Sequence, residues 1–327
     1  MLTGCTIEKQ NVSYSNYALG YLINRIVGNE FNVTSIQENV ITPYAKLKED
    51  YTTILDNSLI FFHLGDLEPY METHSNVFDK YKNYTYDIAT LNSTYPFLRY
   101  TRILIDNKET FVEGPYYKGE VFDTIDTHAI DLSLWNDPIA MVSIAKDIND
   151  YFTSNYAEKA KIFNDNFSKL ELELYTLESN FQALASSMRE NNEEIKFVSI
   201  SSSYGIFQKN YGVSIYPIVL SKYGSLPSKE QLNLMFEKII KDNVKYIVYE
   251  SNMTDEMIEL FNYLETRLGL TRVYMNNLSS LTDSQLEKNQ DYITLMYENL
   301  ASLTNMISSV DDKEDLNIEE ITKNINE

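Results

Sequence analysis

The most regular hydrophobic pattern in the chain runs from residue 154 to residue 189. Its large apolar residues recur at alternating steps of four and three, which places them on one face of an α-helix. They are Tyr156, Ala160, Phe163, Phe167, Leu170, Leu174, Leu177, Phe181, Leu184 and Met188. Because no Pro or Gly interrupts the stretch, it predicts a rod roughly 50 Å long. A helix this long needs either a coiled-coil partner or bodies packed along it, and we interpret it as a spine joining two lobes. A dimerising coiled coil is the alternative that the stripe leaves open.

The sequence on either side of this helix alternates between helical and extended patterns. Before it, the expected helices and strands are a helix at 15–28 ending at Gly28, a strand at 31–36, a helix at 51–57, a strand at 58–62, a turn into a helix at 65–70, β-like pieces within 84–122, and a helix opened by Asp137-Pro138. After it, they are a strand at 196–200, a helix ending near Gly212, an extended 213–220, a helix at 228–242, a strand at 245–250, a helix at 254–268, a strand at 271–275 and a helix at 292–310.

Alternating strands and helices predict a parallel sheet covered on both faces. The expected fold class is therefore α/β, with two lobes, each a mostly parallel sheet flanked by helices, joined by one long helix. The predicted division is a tether at 1–10, a first lobe at 11–153, the linking helix at 154–189, a second lobe at 190–310 and an acidic tail at 311–327.

Composition and charge narrow the classes of function. With 327 residues and 43% hydrophobic residues, the chain has room for two domains with proper cores. A net charge of −21 argues against nucleic acid as a partner and does not favour direct binding to an anionic membrane. The sequence holds one Cys and three His and shows no phosphate loop, no Gly-x-Ser-x-Gly and no dinucleotide fingerprint, so we do not expect an enzyme.

The single cysteine lies at the start of the sequence. Leu2-Thr3-Gly4-Cys5, followed by polar residues, is similar to a bacterial lipobox, in which the Cys carries the lipid of the mature protein. We therefore expect lipid attachment at Cys5, with a preceding signal peptide removed. A lipid there would hold the chain at the outer face of a bacterial cell membrane.

Several segments carry a resemblance to a known family. They are Phe-His-Leu-Gly-Asp-Leu-Glu-Pro-Tyr at 62–70, Trp-Asn-Asp-Pro at 135–138, the strand, turn and helix at 197–212, the strand at 245–250 and the helix at 291–303. Together these segments resemble the zinc- and manganese-type solute-binding lipoproteins of ABC importers, also described as adhesins. The resemblance covers about residues 10–310. It implies two lobes on a helical backbone, a cargo of zinc or manganese, and delivery to an importer permease.

The resemblance also implies four metal ligands, usually His, His, His or Glu, and Asp, drawn from both lobes. The positions that match them are Tyr44, Ser133, Ser201 and Asn276, so all four ligands are replaced by residues that are neutral at pH 7. Hydroxyls and amides are poor ligands for zinc.

Three interpretations of the cleft stay open. A metal at a shifted position would use His63, Glu68 or His128, with Asp126 or Asp131 nearby. A polar solute would use the turn of Ser201, Ser202 and Ser203, whose backbone N–H groups we expect to lie at a helix N-terminus, together with Tyr44, Ser133, Asn276, Asn277 and Glu250. The third interpretation is that no small molecule binds.

The expected function is therefore an extracytoplasmic solute-binding lipoprotein of a metal-type ABC importer. The alternative is a surface lipoprotein or adhesin that keeps the fold and acts through protein contacts. The sequence identifies no resident cofactor, zinc and manganese are the candidates that the resemblance offers, and the oligomeric state stays open.

Overall fold

The structure, a computed structural model, describes residues 9–105 and 108–309. Cys5 and the predicted tail at 311–327 lie outside the described residues. The α-helices are α1 (Tyr17–Val27), α2 (Tyr51–Asp56), α3 (Pro69–Thr73), α4 (Ser75–Phe78), α5 (Pro138–Asn155), α6 (Ala160–Glu190), α7 (Ile206–Tyr211), α8 (Lys229–Lys241), α9 (Asp255–Leu268), α10 (Asp283–Glu287) and α11 (Tyr292–Thr304).

The strands of the described residues include two sets of four that build the main sheets. They are β1 (Asn11–Tyr14), β2 (Asn32–Ser35), β3 (Ser58–His63), β4 (Thr85–Asp87), β5 (Tyr95–Pro96), β6 (Arg99–Ile105), β7 (Lys108–Gly114), β8 (Ile130–Asp131), β9 (Glu193–Glu194), β10 (Lys196–Ser199), β11 (Ser214–Pro217), β12 (Tyr246–Glu250), β13 (Thr271–Met275) and β14 (Ser308–Ser309).

Each lobe is built on a four-stranded parallel sheet. The first lobe has the strand order β2-β1-β3-β4 and the second lobe has the order β11-β10-β12-β13. The predicted α/β fold of two lobes is thereby confirmed. The predicted division of the chain into numbered domains stays a prediction.

The long helix is real but starts later than its hydrophobic stripe suggests. α5 continues to Asn155, residues Ala157–Lys159 form a 3-10 turn, and α6 then runs for 31 residues from Ala160. The centre of the stripe, from Leu170 to Phe181, is fully buried. α6 packs against α1 and α5 of the first lobe and against α7 and α11 of the second. The same chain therefore covers the stripe from both sides, as a spine requires.

The closing helix is shorter than predicted. α11 ends at Thr304, capped by Asn305, and the chain turns back so that β14 pairs antiparallel with β9. Asn, Ser and Ser at 305, 308 and 309 are weak helix formers, which explains why the apolar pattern alone overran the helix end.

Part of the irregular region at 84–122 is an antiparallel hairpin of β6 and β7 that reaches across to the second lobe. There the Arg99 guanidinium donates hydrogen bonds to the Ile215 carbonyl (3.1 Å) and to the Tyr216 hydroxyl (2.9 Å). The predicted β-like pieces are therefore present, and one of them ties the lobes together.

Candidate functional site at the lobe interface

A small polar cavity lies where the carboxyl-terminal edges of the two sheets meet. Its volume is about 30 Å³, which is room for one water-sized group. Its walls are formed by both lobes and comprise Thr42, Leu67, Phe97, His128, Ile130, Asp131, Leu132, Ser133, Trp135, Ser202, Ser203, Ser221 and Lys222. Of the positions named from the sequence, the structure brings Ser133, Ser202, Ser203, His128 and Asp131 together here.

The first-lobe wall is organised by Asp131, the last residue of β8. Its Oδ1 accepts a hydrogen bond from the Ser133 N–H (2.9 Å), which fixes the turn that carries Ser133. Burial raises the pKa of Asp131 to about 6, against hydrogen bonds from Ser133 that lower it. Its Oδ2 lies against Gly205 of the second lobe, where an added Cβ would meet that oxygen at 2.2 Å.

The second-lobe wall is organised by Glu250, the last residue of β12. Glu250 is fully buried, and burial raises the pKa of its carboxyl to about 7. Oε1 accepts from the Ser201 N–H (2.7 Å) and Oε2 from the Ser201 hydroxyl (2.5 Å). The Ser203 hydroxyl lies 2.8 Å from Ser201 Oγ and extends the chain of hydrogen bonds toward the cavity.

The expectation that the serine turn lies directly at a helix N-terminus is wrong. α7 begins at Ile206, after Gly205, and is six residues long. Ser201 already donates both its N–H and its hydroxyl to the protein's own carboxyl group. Ser201 therefore lies behind Ser203 and is not on the cavity wall.

Two further predicted positions lie away from the cavity. The Tyr44 hydroxyl donates to the Gly224 carbonyl (2.7 Å), and its ring packs against the Gly224 backbone. The side-chain oxygen of Asn276 accepts a hydrogen bond from Gln285 Nε2. The backbone N–H of Asn276 donates to Asn299 Oδ1 (2.7 Å). Of the four positions that match the family's ligands, Ser133 is therefore the one on the cavity wall.

Asn277 is buried behind the cavity, where it has a structural role. Its carbonyl accepts from Trp135 Nε1 (2.6 Å), and its side-chain amide donates to the Ser251 carbonyl (2.9 Å). The hydrogen bond between Trp135 and Asn277 joins the first lobe to the second.

The residues expected for a shifted metal site are not assembled into one. His63 ends β3 and stacks on Phe61, while His128 lines the cavity; burial lowers the pKa of both. Glu68 is buried, and burial raises the pKa of its carboxyl to about 8. Within 9–105 and 108–309, no three of the His, Cys, Asp and Glu side chains are grouped to hold a metal.

The sequence pattern did not indicate three of the residues on the cavity wall, Thr42, Ser221 and Lys222. Thr42 lies two residues before Tyr44, and its buried hydroxyl has no described hydrogen-bond partner. The Lys222 ammonium lies 3.2 Å from Glu72 and 3.5 Å from Asp126, so it brings a positive charge to the cavity edge. The one available signal was the proximity of Thr42 to the matched position.

Two parallel-sheet lobes on a long helix, with a polar cavity between them, define a two-lobed solute-binding protein. The model of the ZnuA family, described as zinc-uptake complex component A, periplasmic, matches residues 12–306, and the chain belongs to this family. It is a family of solute-binding proteins of ABC importers that act outside the cytoplasm, not of enzymes. In the part of the chain that the structure describes, no helix is long and apolar enough to span a membrane.

Two curated relatives carry zinc in their names. The chain is 25% identical over 198 residues to the zinc-binding protein AdcA of Streptococcus pyogenes serotype M1, covering 61% of this chain and 37% of the relative. It is 22% identical over 309 residues to the zinc-binding lipoprotein AdcA of Streptococcus pneumoniae strain R6, covering 92% of this chain and 58% of the relative. The chain thus spans about a third to a little over half of these relatives.

Solved structures share the fold at low sequence identity. The Zn(II)-bound ZnuA-like domain of Streptococcus pneumoniae AdcA superimposes with a TM-score of 0.65 at 18% identity, covering 91% of this chain and 99% of that one. The periplasmic zinc-binding protein TroA of Treponema pallidum gives a TM-score of 0.70 at 13% identity, with the same coverage.

Proposed function

We propose that the chain is the solute-binding lipoprotein of a metal-type ABC importer, whose interlobe cavity takes a small polar solute in place of zinc or manganese. The fold and the family support delivery of a cargo to a permease. Cys5 and the lipoprotein relative support a lipid anchor that holds the chain at the outer face of the membrane.

The proposal about the cargo rests on one observation, namely which polar side chains line the cavity and could bind a ligand. Its polar wall is dominated by the hydroxyls of Thr42, Ser133, Ser202, Ser203 and Ser221. His128 and Asp131 are the conventional metal donors on the wall, and the Lys222 ammonium lies beside them. Zinc in proteins takes three or four N, S or carboxylate ligands, so this set does not fit a zinc ion.

The unpartnered Thr42 hydroxyl favours a solute that can hydrogen-bond. A buried hydroxyl without a partner costs free energy, which a small neutral donor or acceptor in the cavity would recover. The cavity of about 30 Å³ requires the lobes to part before anything larger than water enters.

A second candidate function has an observation of its own. The lobes are joined directly by hydrogen bonds from Tyr44 to Gly224 (2.7 Å) and from Asn136 to Ser203 (2.7 Å). A protein whose lobes are held together without a cargo suits a surface lipoprotein or adhesin that acts through protein contacts.

The test compares the melting temperature of chelator-stripped protein with and without zinc or manganese, alongside elemental analysis of the untreated protein. A ligand at a hundred times its dissociation constant adds about 2.7 kcal/mol to the stability of the folded form. We expect no stoichiometric metal and no shift. A bound metal with a clear shift would overturn the proposed change of cargo and leave the importer function standing.

The same measurement of melting temperature, made with polar solutes in place of metals, separates the two candidate functions. A panel of small neutral polar solutes should contain one that raises the melting temperature of the wild-type protein. Ser202→Ala should reduce that shift, whereas Ser168→Ala, at an exposed position of α6, should not. If no solute shifts the wild-type protein, the protein-contact function is favoured.

A further inference from the structure

A second and much larger cavity lies away from the interlobe site, between the β6–β7 hairpin and α8. Its volume is about 500 Å³. One wall is the hairpin face that carries Arg99, Thr101, Val112 and Gly114; an added Cβ at Gly114 would meet nothing within 4 Å. The other wall is one stripe of α8, at steps of three and four. That stripe comprises Leu234, Glu237, Lys238 and Lys241.

The charges on these walls are opposite in sign to the chain as a whole. Arg99, Lys118, Lys238 and Lys241 line the cavity against the carboxylates of Glu237 and Asp242. The walls therefore carry a net charge of about +2 in a chain whose net charge is −21.

Glu113 adds little negative charge to the cavity. It pairs with Tyr100 in the hairpin register and raises the pKa of that phenol, so its side chain belongs to the opposite hairpin face.

Asp242 does not neutralise all of the cations. Its carboxylate accepts from Lys238 (2.7 Å) and the Tyr216 hydroxyl (2.6 Å), and it lies 3.9 Å from Arg99. Neither Lys118 nor Lys241 has an ion-pair partner among the described residues. Two ammonium groups at the cavity are thus available to a ligand.

Tyr117 is one of the residues that line the cavity. It is buried, and its hydroxyl has no hydrogen-bond partner among the described residues. Burial raises the pKa of Tyr117 well above its usual value, so the phenol keeps its proton at neutral pH and can donate. A buried donor without an acceptor costs free energy unless a ligand supplies one.

We propose that this cavity is a binding site for a small multivalent organic anion, held by Arg99, Lys118, Lys241 and the Tyr117 hydroxyl. The separated cations suit a ligand with more than one negative charge, and the side chains of Val112 and Leu234 suit its carbon skeleton. Because the hairpin and α8 belong to different lobes, the bound anion also bridges the lobes.

The test is calorimetric titration of the full chain with citrate, glycerol 3-phosphate and inorganic phosphate at one fixed ionic strength. We expect both organic anions to bind with one site per chain and inorganic phosphate to bind more weakly, since it makes no contact with Val112 or Leu234. Tighter binding of citrate or of glycerol 3-phosphate then identifies the acidic group as carboxylate or phosphate.

The variants separate a built site from general charge attraction. Lys118→Gln with Lys241→Gln should weaken binding about tenfold, whereas Lys169→Gln, at an exposed position of α6, should not change it. Tyr117→Phe should weaken binding without lowering the melting temperature, because it removes a hydroxyl that the protein leaves unpaired.

The proposal is overturned if none of the three anions binds at about 10 mM, which corresponds to a site of no useful affinity. It is equally overturned if the double lysine variant binds citrate and glycerol 3-phosphate as the wild-type protein does. Neither result bears on the interlobe cavity, which shares no wall residue with this one.

Discussion

At the scale of single residues, the contact between Gly205 and Asp131 leaves no room for a side chain on residue 205 at the lobe interface. A Cβ at residue 205 would lie 2.2 Å from Asp131 Oδ2 and 3.0 Å from the Tyr116 hydroxyl. Both neighbours are buried, so neither has room to move aside. We expect Gly205→Ala to destabilise the protein by about 1–3 kcal/mol in urea denaturation, the range for overpacking.

The matched control is Gly114→Ala, where an added Cβ meets nothing within 4 Å. It should change stability by less than about 0.5 kcal/mol, as is usual at the surface. An equal loss in both variants would mean that glycine flexibility, and not the contact with Asp131, explains the effect.

Glu68 gives the protein a pH dependence whose sign follows from its raised pKa. The folded-state pKa of about 8 exceeds the ordinary 4.5, so the folded protein keeps a proton that the unfolded chain releases. Stability is therefore lost as pH rises through this window. His63 and His128, whose pKa values are lowered, oppose this trend only below about pH 6.5.

Between pH 6.5 and 8 we therefore expect the free energy of unfolding to fall by about 1–2 kcal/mol. Glu250, whose pKa burial raises to about 7, adds a smaller fall up to about pH 7. Glu68→Gln should therefore remove most of this slope and leave that remainder, while Glu49→Gln, at an exposed position, should keep the whole slope. Urea midpoints at the two pH values measure the difference. A slope unchanged in Glu68→Gln would show that this carboxyl is ionised in the folded protein.

At the scale of elements, α6 supplies the test of the spine. Leu174 is fully buried, whereas Leu172, two residues earlier on the same helix, is 68% exposed. Leu174→Ala should cost about 2–5 kcal/mol, because it removes packing at the point where both lobes meet the helix. Leu172→Ala has the same chemistry and helix propensity and should cost less than about 0.5 kcal/mol. Similar losses at both sites would contradict the packing of this face.

Most elements could be predicted because their patterns and caps are local. α8 begins at the Ser228 capping box, and α7 ends at Gly212 in the left-handed conformation, both as the sequence indicates. β1, a central strand of the first sheet, was missed because Asn11-Val12-Ser13-Tyr14 alternates weakly and has a buried serine. Its strand character comes from pairing with β2 and β3, which no local pattern contains.

The site was harder to predict than the fold. The sequence identified Ser133, Ser202 and Ser203 as cleft residues, and they line the interlobe cavity. It could not show that Glu250 takes the donors of Ser201, or that Lys222 reaches the cavity from a distant loop. Both depend on which side chains meet after the lobes pack, and sequence spacing does not determine that.

At the scale of the whole molecule, one hydrophobic cluster extends through both lobes. Val12 and Leu22 of the first lobe, Leu177 of α6, and Phe197 and Met275 of the second lobe belong to one buried cluster. Hydrogen bonds cross the interface beside this core, from Trp135 to Asn277 (2.6 Å) and from Tyr292 to the Trp135 carbonyl (2.6 Å). Neither lobe can lose its packing on α6 without exposing apolar surface of the other.

This continuity predicts that the chain unfolds in one cooperative transition, despite its two sheets. Scanning calorimetry should give a single peak whose calorimetric and van't Hoff enthalpies agree. Leu174→Ala should move that peak to lower temperature without splitting it, because the weakened helix is common to both lobes. Two separate transitions in the wild-type protein would mean that the lobes are stable alone and that the spine only connects them. In that case the loss in Leu174→Ala would appear in one peak and leave the other in place.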